Sequence, residues 1–148
     1  MKVAIGSDHA GFNLKKEIIM MLEYKGYGVL DCGCFSVDSV DYPDIAEAVG
    51  EAVLKDGIFG IVICGTGIGI SIAANKIPGI RAALCGEPFS ARMAREHNDA
   101  NVLAMGARII GTGLAIEIVK TFLETDFSGD RHLLRVNKMK EIERKHTR

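Results

Sequence analysis

The 148-residue chain has no tryptophan, and aromatics make up only 6% of it. That leaves little on which bases could stack and speaks against single-stranded nucleic acid as a partner. Neither sign of charge is in excess: 18 Lys and Arg stand against 19 Asp and Glu, a formal net charge of −1. No global basic field draws the chain to duplex nucleic acid or to an anionic membrane surface. Long hydrophobic runs are missing too, so no segment spans a bilayer. The opening Met1-Lys2-Val3-Ala4-Ile5-Gly6 enters a strand without a signal-peptide cleavage pattern. The expectation is a cytoplasmic chain with reduced thiols. Cys32 and Cys34 form C-x-C, Cys64 and Cys85 lie apart, and neither C-x-x-C nor H-E-x-x-H occurs. No metal site is expected from such spacings.

What is present centres on Ile61-Val62-Ile63-Cys64-Gly65-Thr66-Gly67-Ile68-Gly69-Ile70-Ser71. The apolar, β-branched opening reads as a strand buried on both faces of a parallel sheet. Three glycines at alternating positions follow, then a helix over Ile70–Lys76 that Pro78 and Gly79 end. In a strand–loop–helix unit the loop lies at the carboxyl end of the strand, where open α/β sheets bind ligands. Bare backbone N–H groups there suit an anion. A thiol at the mouth of the loop, Cys64, faces the positive end of the helix, which favours thiolate. The loop is no dinucleotide fingerprint, because Ile70 stands where the third glycine belongs, and no Gly-Lys-Ser/Thr follows to make a P-loop.

The rest of the chain alternates strands and helices. Strands are expected at Lys2–Gly6, Tyr27–Asp31, Ile58–Ile63, Gly79–Leu84 and Asn101–Met105. Helices are expected from Phe12 to Tyr24, from Pro43 to Gly57, from Glu87-Pro88 to about Arg95, and from a Thr112 or Gly113 cap through Phe122. The pattern predicts one domain, an α/β chain with a five-stranded parallel sheet between helical layers. Beyond Gly129 a charged stretch with Leu133, Leu134, Val136, Met139 and Ile142 reads as an extended, amphipathic C-terminal helix over about 130–146. Arg131 and Arg135 share one face of it and form a candidate phosphate grip.

All strand carboxyl ends of a parallel sheet lie on one edge. The exits Ser7-Asp8-His9, Cys64 through Gly69, and Gly106-Ala107-Arg108 therefore converge. His97 and Asn98 precede a strand, so a plain reading puts them at the opposite edge. A short helix, a loop bending back or a second subunit is needed to bring them in. The converging set suits a small phosphorylated carbonyl compound. Amides stabilise charge developing on oxygen, a thiolate takes a proton from carbon, and a histidine or aspartate moves protons between oxygens. No cofactor is called for.

Four motifs carry a family resemblance: Gly6-Ser7-Asp8-His9-Ala10-Gly11, Asp41-Tyr42-Pro43-Asp44, Cys64-Gly65-Thr66-Gly67-Ile68-Gly69 and His97-Asn98-Asp99-Ala100-Asn101. In this order they closely resemble the type B ribose-5-phosphate isomerases, a superfamily shared with galactose-6-phosphate isomerase subunits. The match runs from Met1 to about Arg135. It implies a Rossmann-like three-layer α/β/α sandwich and a homodimer, or dimer of dimers, with active sites at the subunit interface and the C-terminal helix packed on the partner. By that resemblance Cys64 is the base between C1 and C2, Thr66 hydrogen-bonds near it, and Gly65, Thr66, Gly67, Ile68 and Gly69 form the enediolate anion hole. His97 and Asp8 open the sugar ring. His9, Arg131 and Arg135 grip the phosphate, Asn98 and Arg108 contact substrate or phosphate, and Tyr42 lines the sugar site. Relatives with serine in place of the cysteine use a glutamate base. Here Asn75 follows the loop helix and offers no carboxylate.

Three other readings stay open. The substrate can be a six-carbon sugar phosphate, such as allose or galactose 6-phosphate. A nucleotide-binding module without catalysis draws on Asp31, about 20 residues beyond Gly11, near the spacing of a ribose-binding acid. A thiol redox protein using Cys64 lacks a resolving cysteine nearby in sequence.

Overall fold

The computed structural model describes residues 1–148. Five strands, β1 (Lys2–Ser7), β2 (Gly28–Asp31), β3 (Phe59–Cys64), β4 (Ala82–Leu84) and β5 (Val102–Gly106), form one sheet in the order β2-β1-β3-β5-β4. Every pairing is parallel. The sheet grows to one side of β1 with β2 and to the other with β3, a switch point that makes a crevice at the carboxyl ends of β1 and β3. A second irregularity follows: β5 is inserted between β3 and β4.

Six α-helices connect and cover the strands: α1 (Phe12–Tyr24), α2 (Tyr42–Asp56), α3 (Ile68–Ala74), α4 (Pro88–Glu96), α5 (Thr112–Glu124) and α6 (Arg131–His146). A single 3-10 turn at His9–Gly11 leads into α1. Strand side chains alternate between faces. Val3, Ile5, Ile61, Ile63, Leu103 and Met105 pack with α1, α4 and α5 into a core of 19 buried residues. Ala4, Val62, Cys64, Val102 and Ala104 pack with α2 and α3 into a core of 11. The thinner side therefore carries Cys64. These two cores, three layers in all, are the sandwich expected from the sequence.

Element boundaries move where side chains or glycines capture backbone groups. α2 begins at Tyr42, one residue before Pro43, with Asp41 extended as its N-cap. Its end at left-handed Gly57 (φ 63°), whose N–H donates to the Val53 carbonyl, is as expected. α3 starts at Ile68 rather than Ile70, because left-handed Gly67 caps it and Thr66 Oγ1 accepts the Ile68 N–H at 3.2 Å. β4 keeps only Ala82–Leu84 of the expected Gly79–Leu84. Upstream, the Gly79 N–H donates to both Glu143 carboxylate oxygens at 3.1 Å and the Arg81 N–H donates to Asn101 Oδ1 at 2.8 Å. Those donors are lost to a ladder. At α5 neither Thr112 nor Gly113 caps; Gly111 stands at the N-cap without a side-chain bond.

α6 lies on its own chain through few residues. His132 and Val136 are buried and Glu143 reaches the Gly79 amide, while Leu133, Leu134, Met139 and Ile142 remain 40–62% exposed. An isolated helix of this length is marginal in water, so those anchors and whatever covers the open face decide its stability.

Candidate active site

Cys64 ends β3 and is 5% exposed. The chain then turns sharply, and the Gly67 N–H donates to the Cys64 Sγ at 3.1 Å. Gly67 has φ 79°, and a methyl group on it would lie 2.5 Å from Leu84 Cδ1 and 2.7 Å from the Met105 carbonyl carbon. Only glycine fits both the angle and the space. The exit of β5 buttresses the turn from the other side. The Ala107 N–H donates to the Cys64 carbonyl and the Arg108 N–H to the Gly65 carbonyl, each at 2.9 Å. The Arg108 side chain crosses Gly65, its Nη1 3.4 Å from where a methyl there would sit. With Gly67 and Ile68 amides turned to Cys64 and Thr66, the N–H groups of Gly65, Thr66 and Gly69 have no acceptor within the chain. They are the donors available to an anion beside the sulfur.

Two further segments reach this loop. The Tyr42 ring packs on Gly69 so closely that a methyl there would come within 2.6 Å of Tyr42 Cζ and 2.7 Å of its hydroxyl. From β1, the Asp8 N–H donates to the Ile63 carbonyl at 3.1 Å. Asp8 Oδ1 accepts the Ala10 and Gly11 N–H groups at 3.0 and 3.2 Å, which folds the 3-10 turn. Its other oxygen has no partner in the chain. The neighbouring His9 Nδ1 accepts the Val40 N–H at 3.2 Å, so the ring hydrogen sits on Nε2. One chain thus gathers Asp8, His9, Tyr42, Gly65 through Gly69 and Arg108 at the carboxyl edge.

The remaining candidates form a separate group. His97 caps the end of α4 ahead of β5, at the amino edge, where the plain sequence reading puts it. Its ring stacks on His132 of α6, centroids 4.1 Å apart and planes within 10°. Arg131, Arg135 and Asn98 are exposed around this pair. The Asn98 carbonyl accepts Arg81 Nε at 3.1 Å, while Arg131 and Arg135 form no ion pair. No hydrogen bond, ion pair or ring contact joins this group to the glycine loop. His132 was not legible as a site residue: it lies between Arg131 and Arg135 and is buried while they are exposed. Burial first, then His97, Arg131 and Arg135, push its pKa below the ordinary histidine value, against a smaller pull from Asp130. Asn75, in turn, is structural: its amide brackets Ala82, accepting that residue's N–H at 2.8 Å and donating to its carbonyl at 2.9 Å.

The sequence model of the ribose/galactose isomerase family matches residues 3–139. The chain belongs to this family. A family relative from Escherichia coli, ribose-5-phosphate isomerase B, is 49% identical over 145 residues, 97% of each chain. A putative sugar phosphate isomerase of Bacillus subtilis is 51% identical and spans 98% of this chain and 99% of its own. Among solved structures, that of ribose-5-phosphate isomerase B from Clostridium thermocellum superposes with a TM-score of 0.97 at 57% identity, over 99% of this chain and 100% of that one. Fold and family agree with the resemblance drawn from the four motifs.

Proposed function

We propose that the chain interconverts ribose 5-phosphate and ribulose 5-phosphate through a cis-enediolate, with Cys64 as the base. The observation that carries this reading is the Cys64 sulfur beside the unpaired N–H groups of Gly65, Thr66 and Gly69. The Cys64 thiolate removes the C2 proton of the open-chain aldose. The electron pair forms the C1–C2 double bond, and the carbonyl oxygen takes up the negative charge that the amides meet. A proton passes between O2 and O1, and the thiol returns its proton to C1. No atom is gained or lost. General-base catalysis contributes on the order of 10²–10⁴ in rate. Each well-placed oxyanion donor contributes about 10²–10³.

His97 and the unpaired oxygen of Asp8 serve ring opening. His9 Nε2, Arg108, Arg131 and Arg135 hold the phosphate, and Tyr42 and Asn98 contact the sugar. Because the His97 group lies apart from the glycine loop of its own chain, a complete site takes it from a second copy. On this reading the protein works as a homodimer. The exposed apolar side chains of α6, with Ile68, Ile72, Leu84 and Phe89 elsewhere, are the surfaces such a pairing covers. Four free cysteines fit a reducing compartment, the cytoplasm. A six-carbon sugar phosphate is the alternative substrate, separated by pocket length.

The test is to incubate the protein with ribose 5-phosphate in EDTA and follow ribulose 5-phosphate. The expected result is rapid conversion, lost by at least about 10³-fold in Cys64→Ala with Tm nearly unchanged. Full activity in Cys64→Ala would overturn the assignment of the base. Turnover of allose or galactose 6-phosphate alone would keep the mechanism and replace the substrate.

A further inference from the structure

The reaction as written makes no use of Lys15, yet it is the most completely buried charged residue of the chain, 0% exposed. It lies in the first turns of α1, flanked by buried Leu14 and Ile18. An ammonium group in such a place is tolerated only if its hydrogens are matched. Lys15 Nζ donates to Asp31 Oδ1 at 2.6 Å and to the Cys34 carbonyl. The rings of Phe12 and Phe35 flank it, with centroids 5.6 and 5.2 Å away. Asp31 ends β2, and Cys34 lies in the loop that follows it.

That loop in turn holds the exit of β1. Asp31 Oδ1 also accepts the Gly33 N–H at 3.0 Å. The Ser7 N–H donates to the Gly33 carbonyl at 2.7 Å, and the Cys34 N–H to the Ser7 carbonyl at 2.6 Å. Ser7 immediately precedes Asp8. Farther along, the Val40 N–H is the group that fixes His9 Nδ1 as an acceptor. Between these points the loop is exposed from Phe35 to Ser39, so little packing holds it. One ammonium gathers a carboxylate and a carbonyl that no apolar side chain of the same length could bind.

We propose that Lys15 is a positioning residue for the isomerisation. Through the 31–40 loop it fixes the Asp8–His9 corner and the tautomer that His9 presents to the substrate phosphate. The proposal rests on the assignment of His9 to the phosphate made above.

The test pairs histidine ring ¹⁵N spectra of the full chain with steady-state kinetics on wild type, Lys15→Met and Asp31→Asn, the His9 signals being assigned with His9→Asn. In the wild type, neutral His9 is expected as the Nε2–H tautomer. In Lys15→Met the tautomers are expected to mix, and KM for ribose 5-phosphate to rise roughly tenfold with kcat changed less than about threefold. Asp31→Asn, at a partly exposed position of the same shape, is expected to shift both readings the same way but less. It decides the matter should Lys15→Met fail to fold. A loss of stability alone would lower Tm and leave the His9 tautomer untouched. A wild-type His9 in the Nδ1–H form, or a folded variant with unaltered His9 signals and KM, would overturn the proposal. Wild-type silence on every sugar phosphate would instead remove the isomerase reading, and the ring spectra would still report whether Lys15 acts on His9.

Discussion

The two edges of the sheet are built in different ways. At the carboxyl edge, the glycine loop is held by backbone: the Ala107 and Arg108 amides past β5 on the Cys64 and Gly65 carbonyls, the Asp8 amide past β1 on the Ile63 carbonyl, and Gly67 closed onto Leu84 and Met105. At the amino edge, His97, His132, Arg131 and Arg135 are held by one ring stack and a helix with two buried residues. The first group is finished within one chain. The second ends in unpaired cations. Groups that generate and stabilise charge at a reacting carbon, the role proposed for the first, need rigid placement, whereas a phosphate grip, the role proposed for the second, can work through side chains that a second chain completes.

That contrast can be broken at its strongest point. Gly67→Ala forces a Cβ into Leu84 and Met105 at a left-handed backbone position. It is expected to cost roughly 2–5 kcal/mol of stability and to abolish turnover, measured by denaturant unfolding and by the ribose 5-phosphate assay. Retained activity with a normal midpoint would mean that the loop is softer than its contacts indicate.

A mixing experiment sharpens the same contrast. Cys64→Ala and Arg135→Ala chains, each inactive alone, are unfolded together and refolded at equal amounts. Half of random dimers are mixed, and each mixed dimer has one site free of both substitutions, so about a quarter of wild-type turnover is expected. No recovery would place both residues in one chain's site and undo the division between edges.

The smallest effect concerns the histidine stack. The folded pKa of His132 lies below the unfolded value of about 6.5. The unfolded chain therefore binds the proton more readily. The contribution of His132 to stability is complete above that pH and is lost as pH falls through the lower folded pKa. Tm is expected to decline on acidification below about pH 6.5, and His132→Phe, which keeps an aromatic ring on His97, to flatten the decline. An equally steep decline in His132→Phe would assign it to other groups.

Sequence revealed the carboxyl edge better than the amino edge for a physical reason. A buried parallel strand, a glycine turn and a helix leave local marks that do not depend on distant partners, so β3, Cys64 and the converging exits were readable. The register of β5 between β3 and β4 leaves no such mark. Nor does the shortening of β4, since it depends on Glu143 and Asn101, residues distant in the chain, reaching the Gly79 and Arg81 amides. His132 was hidden because helical spacing singles out its charged neighbours. Lys15 was passed over because a lysine beside an apolar stripe ordinarily reads as solvated; its burial depends on Asp31 and Cys34, which no periodicity relates to it.

The insertion of β5 has a consequence for the order in which the chain can be made. β4 leaves the ribosome before β5 but joins the sheet only through it. A growing chain that ends near residue 100 has β2, β1 and β3 to pair, with the apolar edge of β3 bare and β4 without a place. Until Val102–Gly106 arrives, that edge can accept a strand from any neighbouring chain. The interval closes when β5 fills the gap, and the same event sets the buttress under Cys64. A chain that has escaped aggregation during synthesis has therefore also assembled the wall of its glycine loop.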